Sequence, residues 1–239
     1  MATTVDVILP IYWRNIDQLA PSVEYLVSYF RHHLRDYSWR ILLSVNGKNP
    51  DQILEKCKQL SQHYKEVTFV YTPQGGKGVG VFNGWEHSTA TIRAYMDVDL
   101  AADLRSIRPL LRAVEDGYDL SIGSRYHPQS EIHRDFFRLL LSRVYLFAFY
   151  RFFLGVPCRD AQCGFKAVNS RVVKELVPLV KDRAFFFESE LLYLAYKKGY
   201  RVKEIPLVWH ESSFSSVNMV KTVPNFLRNV WRLKTSPLP

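Results

Sequence analysis

Cysteine is scarce: Cys57, Cys158 and Cys163 are the only three in 239 residues, an odd number without metal-ligand spacing. That speaks against a disulfide framework or a thiolate metal site and suits reduced, buried thiols of a cytosolic compartment. Long uncharged apolar runs are missing too. The most apolar stretch, Phe136 to Val156, is broken by Arg138, Arg143 and Arg151, and charges at the centre of a spanning helix are costly, so no transmembrane helix is expected. Met1 to Asp6 lacks the basic and long apolar regions of a secretory signal, which sets a cytoplasmic expectation. No internal repeat, low-complexity tract or Pro/Gly/Ser-rich linker divides the chain, and no recognised nucleic-acid motif occurs in it.

What is present is an ordinary globular composition, 47% hydrophobic and 23% charged, with 32 Lys+Arg against 23 Asp+Glu for a net +9. A chain of this length buries a sizeable single core. The positive balance favours anionic partners such as nucleotides, phospholipid headgroups or nucleic acid without choosing among them. Short apolar runs at Val5 to Ile11, Trp39 to Val45, Val67 to Tyr71, Arg93 to Met96 and Leu120 to Ile122 read as strands. Segments such as Gln18 to Leu34 and Asp51 to Tyr64 carry apolar residues at helical spacing. The alternation predicts an α/β domain with a mostly parallel sheet, its ligands gathered outside the carboxyl ends of the strands. Further on, the pattern predicts an aromatic-rich helix from Asp135 to Leu154, a strand near Phe165 to Val168, a helix from Glu188 to Lys198 and a strand from Arg201 to Val208.

Several motifs fall at those strand ends. Asp97-Val-Asp99 places two carboxylates i, i+2, on one face of an extended segment or around a tight turn just past it. Hard cations such as Mg2+ or Mn2+ take oxygen ligands and often bind through one or two carboxylates plus substrate phosphates; paired acids also cap helices or end surface strands. Gln74-Gly-Gly-Lys77-Gly78-Val-Gly80 precedes a helix. Its amides are able to cradle phosphate with Lys77 as a point charge, although a flexible turn accounts for the glycines nearly as well, and the Gly-Lys-Ser/Thr ending of a Walker A loop is missing. Arg125 follows another strand end. Arg134, Arg138 and Ser142 recur at i, i+4 and i+8 near one face of the aromatic helix, where guanidinium forks suit phosphate oxygens and a solvated face is the plainer reading, preferred for Arg134. Asp160, Gln162 and Lys166 form a compact polar run between apolar neighbours. Glu188 and Glu190 follow three phenylalanines, as desolvated acid/base candidates or as acids favoured at a helix N-terminus.

Taken in order, Asp97-Val-Asp99-Leu, Gly123-Ser-Arg125, Arg138 with Ser142, Asp160-Ala-Gln162-Cys-Gly-Phe-Lys166 and Glu204-Ile-Pro206-Leu-Val-Trp209 resemble the family 2 glycosyltransferases. Within them they are similar to the polyprenyl-phosphate sugar transferases of the dolichyl-phosphate mannose synthase and glucosyltransferase kind. The resemblance runs from Val7 to about Trp209. It implies a GT-A fold with a metal-diphosphate site at Asp99 and Asp97, a nucleotide bordered by Pro10, Tyr12, Lys77 and Gly78, and a lipid phosphate held by Arg125, Arg138 and Ser142. It implies a nucleotide-sugar donor of the GDP-mannose or UDP-glucose type, a polyprenyl-phosphate acceptor and work at the cytoplasmic membrane face. Where the family usually has Asn-Glu after the first strand's Pro-x-Tyr, this chain has Trp13-Arg14. Where the family has an Asp-Asp-Gly-Ser run, this chain has Val45-Asn46-Gly47-Lys48. A Gln two residues after the second acid, frequent in mannose synthases, is replaced by Ala101. Both nucleoside-facing changes remove acids, which leaves base and ribose contacts to other residues, Asn46 among them.

A phosphate acceptor is already anionic, so it needs positioning and charge neutralisation more than a base; a hydroxyl acceptor requires one, for which Glu188, Glu190 and Asp160 are the candidates. The domain is expected over 1–210. The tail over 211–239 is expected to be amphipathic, with Phe226, Val230 and Trp231 beside Lys221, Arg228 and Arg232, suited to a membrane interface or to packing against a core or a second copy. A glycosyltransferase acting on a glycan or small-molecule hydroxyl, one that has lost activity, and a basic nucleic-acid-binding module are the competing readings. The last leaves the acidic pair at a strand end unexplained.

Overall fold

The computed structural model describes residues 2–133, 150–210 and 219–239, with 133 and 219–222 described by backbone alone. Strands β1 (Thr4–Ile11), β2 (Ser38–Asn46) and β3 (Val67–Thr72) alternate with helices α1 (Ile16–His33), α2 (Asp51–His63) and α3 (Lys77–His87). β4 (Ile92–Met96), α4 (Ile107–Glu115) and β5 (Leu120–Ser124) follow, then β6 (Glu131–His133), β7 (Phe165–Asn169) and α5 (Ser170–Glu175). The chain closes with α6 (Phe187–Lys197), β8 (Val202–Pro206), β9 (Val208–His210) and α7 (Met219–Thr235).

Seven strands make one sheet in the order β3-β2-β1-β4-β7-β5-β8. Every neighbouring pair is parallel except those of β7, which runs antiparallel to both β4 and β5. Side chains leave the strands alternately, so each face needs its own cover. Val5, Val7, Leu9 and Ile11 of β1 join one core with α1, α2 and α4, whose apolar residues recur at helical spacing: Leu19, Val23, Leu26 and Phe30 in α1, Ile107, Leu110, Leu111 and Val114 in α4. Ile8, Tyr95, Leu120 and Ile122 join a second core on the opposite face with α3, α5, α6 and the end of α7. Gly84 lets α3 lie on β1, since a Cβ there would come within 2.6 Å of Ile8.

β1 is flanked by β2 on one side and β4 on the other, so the connections after β1 and after β4 lead in opposite directions. In open sheets the crevice at the carboxyl ends of two such strands is where ligands sit. The strand expected from Arg201 to Val208 is two strands: Pro206 has no amide hydrogen to extend the ladder, and β9 leaves to pair with β6 in a second small sheet. Arg134, Arg138, Ser142 and most of the aromatic helix expected over Asp135 to Leu154 lie outside the described residues.

Candidate functional site

β4 ends at Met96, and the chain turns at once. The Leu100 amide donates to the Asp97 carbonyl at 3.1 Å, and Leu100 takes a φ of 52°. A tight turn, and not extended alternation, therefore sets the relation of the two carboxylates. Asp99 Oδ1 accepts from the Ala101 amide at 3.3 Å. Burial first, and the Asp97 charge second, push the Asp99 carboxyl above the ordinary range. Two carboxylates drawn together against their mutual repulsion are half the donor set of a hard cation. Among the described residues no group of three His, Cys, Asp or Glu converges, so a cation here would complete its shell with phosphate oxygens or water. The Asp97/Asp99 turn fits Mg2+ or Mn2+ in that sense.

Lys77 opens α3 and sends its ammonium into the same cluster. Nζ lies 3.0 Å from Oδ2 and 3.0 Å from Oδ1 of Asp97, and 3.0 Å from Oε1 of Glu188. Glu188 Oε2 meets the Lys166 ammonium at 3.1 Å, and Lys166, fully buried, also donates to the Cys163 carbonyl. Burial alone would raise the Glu188 carboxyl, but Lys166 and Lys77 outweigh it and bring it to about 2. Burial likewise opposes the charge on Lys77, and Asp97 and Glu188 more than restore it, so its ammonium holds its proton more tightly than a free lysine. With Asp99 counted, the cluster carries one more carboxylate than ammonium group. Gly164 lets the acidic turn approach β7's entrance: a Cβ there would lie 2.1 Å from Asp97 Oδ2.

A second cluster stands at the end of β5. Asp160 is fully buried and accepts from Arg125 three times, from Nε at 2.7 Å, Nη2 at 2.9 Å and the backbone amide at 2.9 Å. The Arg125 guanidinium also lies 5.0 Å from the Trp209 ring centroid. Gln162 reaches from this cluster to the residue after Glu188, its backbone amide donating to Asp160 Oδ1 at 3.1 Å and its Nε2 to Ser189 Oγ at 2.7 Å. The expected fork for a lipid phosphate and one expected base thus engage each other.

The other expected base candidates are also committed. Glu188 is buried, as its aromatic neighbours led one to expect, but it is clamped between two lysines that lower its pKa instead of leaving it raised. Glu190, two residues along α6, points elsewhere: it accepts the Asp182 amide at 2.8 Å and both terminal nitrogens of Arg232 at 2.8 Å. Three amides of the glycine-rich loop expected to cradle phosphate are likewise engaged within the protein. The Gly78 amide is donated to the Ala184 carbonyl and the Val79 amide to the Arg183 carbonyl, each at 3.1 Å, while the Gly76 amide goes to Asn46 Oδ1 at 3.1 Å. Gly76 is held at φ 145°, with Arg183 O only 2.3 Å from where a Cβ would sit. Asn46, expected at the nucleoside, spends its Nδ2 on the Ile11 carbonyl at 3.1 Å and ties the end of β1 to this loop. Pro10 lies beneath Gly80, and Tyr12 stands half exposed over Gly47 at the mouth of the β1 end. The loop's contribution to the cleft is the Lys77 ammonium. Sequence reasoning missed the bracket formed by Asp182, Arg183 and Ala184, because carbonyl acceptors on an irregular turn leave no residue-type signal.

Comparison with known proteins places this geometry in context. The family model described as glycosyl transferase family 2 matches residues 6–177. Glycosyltransferase AglD of Haloferax volcanii is 28% identical over 239 residues, covering 98% of this chain and 38% of the relative. The dolichyl-phosphate beta-glucosyltransferase of Saccharomyces cerevisiae is 28% identical over 193 residues, covering 72% of this chain and 57% of its own length. The dolichol-phosphate mannosyltransferase of Pyrococcus furiosus is 26% identical over 235 residues, covering 96% and 63%. The chain therefore spans less than two thirds of each of these relatives. Among solved structures, glucosyl-3-phosphoglycerate synthase from Mycobacterium tuberculosis with Mn2+ and UDP-glucose superposes with a TM-score of 0.66 at 16% identity, covering 95% of this chain and 79% of that one. That likeness is one of fold.

Proposed function

This chain belongs to glycosyl transferase family 2 and is a glycosyltransferase of the GT-A fold, and we propose that it moves a sugar from a nucleoside-diphosphate sugar onto a polyprenyl phosphate. The observation that carries the acceptor half is the state of the carboxylates. Asp160 is paired with Arg125, Glu188 with Lys77 and Lys166, and Glu190 with Arg232. A hydroxyl acceptor needs a base to take its proton, and each nominated base is held as an ion-paired anion; a phosphate acceptor arrives already ionised. The names of the relatives matched over most of this chain, dolichyl-phosphate glucosyltransferase and dolichol-phosphate mannosyltransferase, support the same acceptor.

The donor half rests on the Asp97–Leu100 turn at the crevice between β1 and β4. A divalent cation held by Asp97 and Asp99, Mg2+ or Mn2+, would neutralise charge on the departing nucleoside diphosphate. Lys77 adds a fixed ammonium beside Asp97, and Pro10 and Tyr12 border the nucleoside side. Arg125, held by Asp160 at the end of β5, is assigned to the acceptor phosphate, together with Arg138 and Ser142, by family resemblance. Attack by that phosphate opposite the leaving diphosphate inverts the anomeric carbon. The lipid would be met at the cytoplasmic face of a membrane. Along α7 the exposed Val223, Leu227 and Trp231 alternate with Arg228 and Lys234, and Trp231, 63% exposed, stacks on Phe153, next in sequence to the 84% exposed Phe152, a mixed apolar and basic surface suited to an interface. No helix among the described residues is long and apolar enough to cross a bilayer.

The test is transfer of radiolabelled glucose or mannose from UDP-glucose or GDP-mannose into the organic phase of vesicles containing polyprenyl phosphate, with Mn2+ or Mg2+ added. Label in the lipid with wild type, its loss with Asp99→Ala, and retention of fold by that variant are expected. Transfer only to a water-soluble hydroxyl acceptor would overturn the lipid reading, and donor binding unaltered in Asp99→Ala would remove the metal assignment.

A further inference from the structure

The C-terminal helix α7 is tied to the bracket that holds Lys77, and we infer that Arg232 is a positioning residue which sets the Lys77 ammonium in the donor site from a helix outside it. The inference rests on the proposed role of the Asp97 and Lys77 cluster.

The connection is continuous and polar. Arg232 donates through Nη1 to Glu190 Oε1 and through Nη2 to Glu190 Oε2, both at 2.8 Å. Glu190 Oε2 also takes the Asp182 amide at 2.8 Å. Asp182 Oδ1 in turn accepts the Ala184 amide at 2.9 Å and the Phe187 amide at 3.1 Å, which shapes the turn into α6. The carbonyls of Arg183 and Ala184, fixed by that turn, receive the amides of Val79 and Gly78, adjacent residues in the first turn of α3. Between the two ends of this bracket stand Lys77 and Glu188, bonded to each other at 3.0 Å. From α7, Asn229 adds a longer contact of 3.4 Å to Asp182 Oδ2.

The arrangement is stiff where it matters. Gly76 and Gly78 have no room for a side chain against Arg183 and Phe187, so the loop follows the bracket instead of sliding over it. Phe187 wedges against Phe82 of α3 and Tyr95 of β4. Glu190 is only 1% exposed, and a buried carboxylate that loses its cation moves toward water or takes a proton. α7 itself would stay docked without Arg232, because Val230 and Leu233 are buried, Phe226 packs on Phe186, and Tyr193 donates to the Leu233 carbonyl. Removing the guanidinium therefore acts on the bracket more than on the attachment of the helix.

Hydrogen–deuterium exchange on the full chain tests this without assuming any activity. In Arg232→Ala the peptide over 76–82 should exchange at least roughly tenfold faster than in wild type, with the peptide over Thr4–Ile11 unchanged, and Arg232→Lys should recover part of the protection. Should Arg232→Ala fail to fold, Arg232→Lys and Asn229→Ala give the smaller, same-signed change. Unaltered exchange over 76–82, or an equal rise over Thr4–Ile11, would overturn the inference. A second arm reads binding of UDP-glucose or GDP-mannose with Mn2+, which should weaken roughly tenfold in Arg232→Ala and recover in part with lysine, while the unfolding midpoint tracks stability separately. If wild type binds neither nucleotide sugar, the proposed function falls, and the exchange result still decides the role of Arg232.

Discussion

Gly164→Ala isolates the acidic turn from the stability of the fold. Gly164 is not among the residues with positive φ, so alanine meets no backbone strain there. Its methyl group would instead fall 2.1 Å from Asp97 Oδ2, 2.7 Å from Cγ and 3.0 Å from Lys77 Nζ. Ordinary contact begins near 3.4 Å, so the carboxylate has to retreat by roughly 1 Å, and a misplacement of that size at a reacting centre costs about 10²-fold in rate. In activation free energy that is about 2.7 kcal/mol. The clash involves the ends of two side chains and not backbone, so the stability cost belongs at the low end of overpacking, ~1 kcal/mol, or about 2–4 °C in melting temperature for a chain of this length. Sugar transfer from labelled donor and thermal unfolding, measured on one preparation, check both halves. Activity within about twofold of wild type would refute the placement of Asp97 in the chemistry. A collapse of the melting temperature would refute the separation of site from fold.

Asp160→Asn should leave a buried guanidinium without its counter-charge and cost about 3–5 kcal/mol in urea unfolding; a loss near zero would mean that the Arg125 pair is not buried in solution. Glu188 has its pKa lowered from 4.5 to about 2 in the folded chain. It therefore adds stability that is complete above the unfolded value and is lost as pH falls from about 4.5 toward about 2. The loss is on the order of 3 kcal/mol. Unfolding free energies measured between pH 6 and pH 3 should decline less steeply for Glu188→Gln than for wild type, and parallel slopes would contradict the clamp. Burial pushes the Cys57 and Cys163 thiols up to about 12 and raises Cys158 as well. A thiol-reactive dye should accordingly label none of the three in native protein and all three in denaturant.

Much of the architecture was legible because the cue is local. β1, β4 and β5 are short runs buried on both faces, and α1 and α2 carry apolar residues at helical spacing, so periodicity alone located them to within a residue or two. The antiparallel insertion of β7 between β4 and β5 carries no such cue, since parallel and antiparallel neighbours place the same side chains on the same faces. The division of one expected strand into β8 and β9 was visible only as Pro206, whose missing amide ends the ladder without saying where the chain goes next. The split between Glu188 and Glu190 has a geometric cause: positions two residues apart along a helix are about 200° apart around it, so acids so spaced serve different clusters.

By itself the sequence determined the family and marked the residues for which a site is proposed. Asp97 and Asp99 at the end of an apolar run, with Arg125 and the Asp160 to Lys166 segment beyond, are residue types set at strand ends, and local pattern dictates both. Only the tertiary structure decided which charges meet. Lys77 stands against Asp97 and Glu188, Arg125 against Asp160, and Arg232 against Glu190, across separations of 20 to 111 residues. Whether a carboxylate is a base or an anchored anion depends on the partner that burial forces on it, and that partner is chosen by packing.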